Sequence, residues 1–211
     1  MENIARLVNF PFSKTEEILV KTALLHNKVF AFPTETFYGL GGNAFFKEVA
    51  DRVYNIKERP RNKPLLVLTT PEWLPSLCLW NDSRIDDLMD EFWPGPLTLI
   101  LPVNCEFPKE LQNSDGTLAV RCSSSPVVQK LIELGGFPII GTSANLTGMP
   151  ACSTATKVYK QLYKKIDLII DGGELVEKLA STILDCQNEK FKVLRHGAIK
   201  LAEINRICEV S

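Results

Sequence analysis

The 211-residue chain is poor in the groups on which most hydrolytic and metal-dependent sites are built. It has two histidines, His26 and His196, and no G-x-S-x-G, so a Ser-His-Asp hydrolase is hard to assemble. A Cys-His pair would need a histidine from an early helix or from the tail. The six cysteines (Cys78, Cys105, Cys122, Cys152, Cys186 and Cys208) contain no C-x-x-C pair, which argues against zinc and a disulfide framework and for reduced core thiols. No G-x-x-x-x-G-K-S/T occurs, and "YGLGGNA" lacks the G-x-G-x-x-G spacing of a dinucleotide fingerprint. Its glycines are expected to shape a turn. No apolar run reaches membrane-spanning length, and "MENIARLVNFPFSKTEE" lacks the features of a signal peptide, so a cytoplasmic protein without membrane contact is expected. An excess of either charge is missing too, with a net charge of -1. The protein therefore does not grip nucleic acid with its whole surface, and any basic function must be local.

What is present is an alternation of strands and helices. No repeat, low-complexity tract or linker marks a boundary, and 45% hydrophobic content is ample for one core, so a single domain over 1–211 is expected. Ser13 with Glu16 forms a capping box for a helix to about His26, and "VFAFP" follows as a strand. Val49, Val53 and Ile56 place a helix over Lys47 to Lys57, and "LLVLT" is the next strand. "DSRIDDLMDEFWPG" caps at Asp82 or Ser83 and stops at Pro94, after which "LTLILP" and "TLAVR" are strands. Ser125 and Pro126 open a helix closed by Gly135 and Gly136. "PIIGTSAN" is a short buried strand entering a polar loop, and "STATKVYKQLYKK" a further helix. "DLIIDGG", "STILDC" and "FKVLRHG" are short strands before a terminal helix from about Ala198. The pattern predicts an α/β fold with a twisted, open, mixed parallel and antiparallel sheet and flanking helices.

Chemistry is concentrated in polar loops at strand ends. "KERPRNK" gathers Lys57, Arg59, Arg61 and Lys63 at a helix-to-strand connection. "PTETFYG" offers the hydroxyls of Thr34, Thr36 and Tyr38, "TSAN" offers Ser143 and Asn145, and "LASTILD" and "VLRHG" add Ser181, Thr182 and Arg195. None of these is an activated nucleophile. Together they suit a site that positions two substrates and stabilises charge, such as a nucleoside triphosphate with a carboxylate. Each signal alone has an ordinary explanation: cations suit a helix C-terminus, and S-x-N often caps or turns.

Taken in order, "FPTETFYGLG", "IKERPRNKPL", "FWPGPLTLIL", "GTSANLTGMP", "STILD" and "VLRHGAI" resemble the YrdC/TsaC family, the threonylcarbamoyl-AMP synthases of tRNA modification, over about residues 15 to 200. The resemblance implies a large concave basic cavity. It also implies a reaction in which L-threonine and bicarbonate or CO2 form a carbamate that attacks the α-phosphorus of ATP, giving L-threonylcarbamoyl-AMP and pyrophosphate. The product would feed the modification at position 37 of tRNAs that decode ANN codons, through a separate transferase complex. Mg2+ would arrive with ATP, without an organic cofactor or a dedicated protein metal site.

By motif, Lys57 and Arg59 would be the catalytic pair, touching carboxylate or carbamate and phosphates. Thr34, Tyr38, Lys63, Arg121 and Ser181 would serve the threonine and carbamate side, and Ser143, Asn145 and Arg195 the nucleotide side. The chain departs from the family where "RCSSSP" lacks a proline soon after Arg121 and where His196 follows Arg195. It ends soon after the core, as a short form would. Competing readings are a module binding tRNA or double-stranded RNA without turnover, extended by Lys157, Lys160, Lys164 and Lys165, and a paralogue adenylating another carbamate.

Overall fold

The computed structural model describes residues 4–176 and 179–210. In chain order its elements are β1 (Arg6–Asn9), α1 (Lys14–Leu25), β2 (Phe30–Pro33), β3 (Tyr38–Gly41), α2 (Lys47–Lys57), β4 (Val67–Thr69), α3 (Leu74–Leu77), α4 (Ser83–Phe92), β5 (Leu97–Pro102), β6 (Thr117–Cys122), α5 (Pro126–Gly135), β7 (Ile139–Ile140), β8 (Thr142–Ser143), α6 (Ala155–Leu162), β9 (Leu168–Asp171), β10 (Thr182–Asp185), β11 (Lys192–Arg195) and α7 (Leu201–Ile204). The expected mixed α/β architecture is present, and its strands divide into two sheets. One runs β1-β9-β2-β3-β8 and the other β11-β10-β5-β6-β4-β7. Both are mixed: β9 is parallel to β1 and β2 while β3 is antiparallel to β2, and β10 is parallel to β5 while β6 is antiparallel to it.

Local chemistry accounts for most boundaries. The Ser13 and Glu16 capping box is complete at the start of α1, and the Asp82 carboxylate accepts the Arg84 backbone N–H at the start of α4. Ser125 precedes α5 as expected but does not cap it, because its hydroxyl donates instead to the Pro33 carbonyl at 2.8 Å. Helix α2 ends with Glu58 in the left-handed region, φ +52°. There the Glu58 N–H reaches Asn55 O and the Arg59 N–H reaches Tyr54 O, the paired bonds of a Schellman turn. That reversal sends Lys57 and Arg59 in different directions.

Sheet one is covered on both faces. Phe30, Phe32, Leu168 and Ile170 belong to the apolar cluster with Val20 and Leu24 of α1 and Val127 and Leu131 of α5. Ala31, Leu40 and Ile169 belong to the one with Val53 of α2 and Val158 of α6. Burial on both sides explains the continuous apolar runs "VFAF" and "LII". Sheet two alternates instead. Leu97, Leu99 and Leu101 of β5 join the core with Leu118 and Val120 of β6, Leu77 of α3 and Ile85 and Leu88 of α4. Thr98 of β5 and Ala119 and Arg121 of β6 take the opposite face.

"PIIGTS" is two strands, not one. β7 pairs with β4 in sheet two, and β8 pairs with β3 in sheet one. Gly141 makes the step between them, where a Cβ would lie 2.5 Å from Leu68 side-chain carbons. The facing Gly41 closes β3, so "YGLG" is a buried strand rather than the expected turn. A Cβ on Gly41 would stand 1.7 Å from the Ile140 carbonyl oxygen. Two chains thus cross at backbone contact. We expect Gly41→Ala to cost about 3 kcal/mol through forced backbone displacement. Urea unfolding checks this, and a loss below about 1 kcal/mol would contradict the contact.

Candidate active site

A cavity of about 270 Å³ opens between the two sheets beside this crossing. Sheet one contributes Tyr38 and Gly39 of β3, Thr142 and Ser143 of β8, and Thr34, Thr36 and Phe37 from the loop after β2. Sheet two contributes Thr98 of β5, Ala119 and Arg121 of β6, Ile183 of β10 and Arg195 of β11, with Ser181 just ahead of β10. Arg59 lies at the side. Among the described residues the lining therefore holds three arginines and many hydroxyls, and no carboxylate.

The arginines are held in three ways. Arg59 donates from Nε to the Lys63 carbonyl at 2.9 Å and from Nη2 to the Pro64 carbonyl at 3.0 Å. Arg195 donates from Nε to the Ser181 carbonyl at 3.0 Å and from Nη2 to the Ser181 hydroxyl at 2.8 Å. Arg121 is 4% exposed and forms an ion pair with Glu35, Nε to Oε1 3.2 Å, in which neither of those atoms completes a hydrogen bond. Burial pulls the pKa of all three below the usual arginine range. Arg121 and Arg59 add to the effect at Arg195, whereas Glu35 opposes it at Arg121. Cations this crowded favour an anion among them.

Lys57 does not line the cavity. Its ammonium, 2% exposed, donates to the Ser143 carbonyl and, at 2.8 Å, to the Asn145 carbonyl, with the Ser143 hydroxyl and Asn145 Oδ1 each at 3.4 Å. The K-x-R and S-x-N pairs are thus brought together, with Lys57 as the clasp behind the Ser143 wall. Asn145 spends its amide on its own loop, donating to the Leu146 and Met149 carbonyls. Burial, then the Arg59 charge, brings the Lys57 pKa down to about 8. The other two cations of the loop lie outside: Arg61 pairs with Asp51 and covers the Tyr54 ring at 4.7 Å, and Lys63 is exposed.

The hydroxyls differ as sharply. Thr34 donates to the Phe37 carbonyl at 2.7 Å and closes its own turn. Tyr38 donates to the Gly173 carbonyl at 2.8 Å, with Asp171 3.2 Å away, and burial pushes its pKa up to about 12. Ser181, beside Arg195, is 2.9 Å from the Thr98 hydroxyl. Thr36, named from the sequence without a role, lines the cavity, and so do Thr98 and Thr142, which the sequence reading did not name. Thr98 left a signal, as the single polar residue inside "LTLIL".

Residues 22–197 match the Sua5/YciO/YrdC family model, described as "Telomere recombination". A threonylcarbamoyl-AMP synthase of Pyrococcus abyssi is 39% identical over 181 residues, 85% of this chain and 53% of that protein. One of Photobacterium profundum is 35% identical over 184 residues, 84% of this chain and 97% of that protein. The crystal structure of P. abyssi Sua5 complexed with L-threonine superposes with a TM-score of 0.90 at 34% identity, covering 99% of this chain and 62% of the other. The chain thus spans about half the length of the Pyrococcus protein.

The clasp predicts a proton-linked event. An anion drawn to Arg59 relieves its repulsion on Lys57 and raises the lysine pKa from about 8, so polyphosphate binding at pH 8.5 takes up protons. Calorimetry in buffers of different ionisation enthalpy checks this, and equal apparent heats would contradict it.

Proposed function

The chain belongs to the Sua5/YciO/YrdC family, and from that premise we propose that it is a nucleotidyltransferase that makes L-threonylcarbamoyl-AMP from L-threonine, bicarbonate or CO2, and ATP, releasing pyrophosphate. The observation that supports this reading most is the crowding of Arg59, Arg121 and Arg195 on one cavity with, among the described residues, a single carboxylate partner between them. The name of the Pyrococcus complex with L-threonine supports the amino-acid substrate.

In this reading the carbamate oxygen forms the new bond to the α-phosphorus while the bond from that phosphorus to the bridging oxygen breaks, and pyrophosphate leaves. No protein nucleophile takes part. Arg121, with Thr34, Thr36 and Ser181 around it, receives the amino acid's carboxylate or carbamate. Arg59 and Arg195 face the phosphates and spread the charge that builds on the equatorial oxygens. Lys57 acts through the Ser143 and Asn145 loop that it holds, and Lys63 through the carbonyl on which Arg59 rests. Tyr38 contributes main chain and shape.

Among the described residues no cluster of three or more His, Cys, Asp or Glu is placed to hold a metal. In this reading Mg2+ would arrive with ATP, carried by phosphate oxygens and water, and would supply charge neutralisation. The adenylate would pass to a separate transferase for position 37 of ANN-decoding tRNAs, in the cytoplasm.

Pyrophosphate release from ATP, Mg2+ and bicarbonate should depend on L-threonine and yield a product with the mass of the threonylcarbamoyl adenylate. Release with a different amine would change the substrate, and RNA binding without release would favour the binding-module reading. Replacing Arg59 by Ala should lower turnover by about two orders of magnitude. Near-normal turnover in the folded variant would remove Arg59 from the site.

A further inference from the structure

Glu35 is not among the cavity-lining residues, yet it is the only carboxylate paired with any of the three cavity arginines among the described residues. Its side chain is 9% exposed, and its partner Arg121 is 5% exposed on the same side-chain scale. The two carboxylate oxygens have different tasks. Oε1 faces Arg121 Nε at 3.2 Å, while Oε2 accepts the Ser123 hydroxyl. The Ser123 oxygen in turn accepts the Ser125 N–H at 3.2 Å, and the Ser125 hydroxyl donates to the Pro33 carbonyl at 2.8 Å. This circuit ties the loop after β2, in sheet one, to the end of β6, in sheet two. It fixes a carboxylate against the guanidinium from behind.

Arg121 needs such a fixture. Its buried Nε completes no hydrogen bond among the described residues, and Arg195 is close enough for Arg121 to depress its pKa. Without a counter-charge, repulsion would drive the head group from the place where a ligand would meet it. We propose that Glu35 is a positioning residue that holds Arg121 toward the amino-acid substrate, and that the Ser123 hydroxyl sets the Glu35 carboxylate. The proposal rests on the function given above, in which Arg121 receives the amino acid. It assigns roles to Glu35 and Ser123 that no cavity contact of theirs would suggest. Ser123 and Ser125 of "RCSSSP" then have a purpose of their own.

The test is the steady-state kinetics of threonine-dependent pyrophosphate release by the full chain, varying L-threonine and ATP in turn. Glu35→Gln keeps the shape and removes the charge, and should raise KM for L-threonine about tenfold with KM for ATP within about twofold of wild type. Ser123→Ala leaves the ion pair in place, which protects against misfolding, and should raise the same KM about threefold, with Ser123→Thr restoring it. An unchanged threonine KM in Ser123→Ala and in folded Glu35→Gln, or equal rises for both substrates, would overturn the positioning role. A wild-type protein that shows no threonine-dependent release would instead overturn the function on which the proposal rests.

Discussion

A buried ammonium held by peptide carbonyls joins the parts of this molecule that matter for its chemistry. Lys57 ends helix α2, and its hydrogen bonds to the carbonyls of Ser143 and Asn145 fasten that helix to the strand that crosses between the sheets. Hydrogen bonds from a charged donor are worth about 1.5–3 kcal/mol each, enough to offset much of the cost of burial. The left-handed turn at Glu58 follows directly and sets where Arg59 begins. One side chain that does not line the cavity thus holds the wall from behind.

Electrostatics then sets one problem for all three arginines. Two like charges about 6 Å apart repel by roughly 3 kcal/mol at an effective dielectric near 20. The fold absorbs this differently at each arginine. Carbonyls steady Arg59, Ser181 steadies Arg195, and among the described residues only Arg121 has a counter-ion. Arginine suits all three places because its planar fork can keep one edge on the protein and leave another for a carboxylate or phosphate. A lysine could not divide its contacts in that way.

Much of this was legible in the sequence. The Ser13 and Glu16 box, the apolar spacing of α2 and the alternation of "LTLIL" each encode a local rule that the fold obeys, and the ordered motifs brought the right loops to one place. What escaped has physical causes. Glycines hid β3 because the closeness they permit is to a distant strand, at Ile140, which local propensity does not report. "PIIGTS" looked like one strand because the step at Gly141 is visible only as a change of pairing partner. Lys57 and Arg59 looked alike because spacing says nothing of a left-handed residue between them. Glu35 was passed over among hydroxyls, since its partner lies 86 positions away in a different sheet.

The division into two sheets has a consequence for how the molecule responds to its ligands. Ser143 and the loop of Thr34 belong to one sheet, Arg121 and Arg195 to the other, and the cavity is the seam between them. A molecule that touches both sides is a brace across the seam as well as a substrate. Any ligand of the folded state adds its binding energy to the stability of the fold, and one that reaches both sides also ties the joint. Occupancy and rigidity become a single property of the protein.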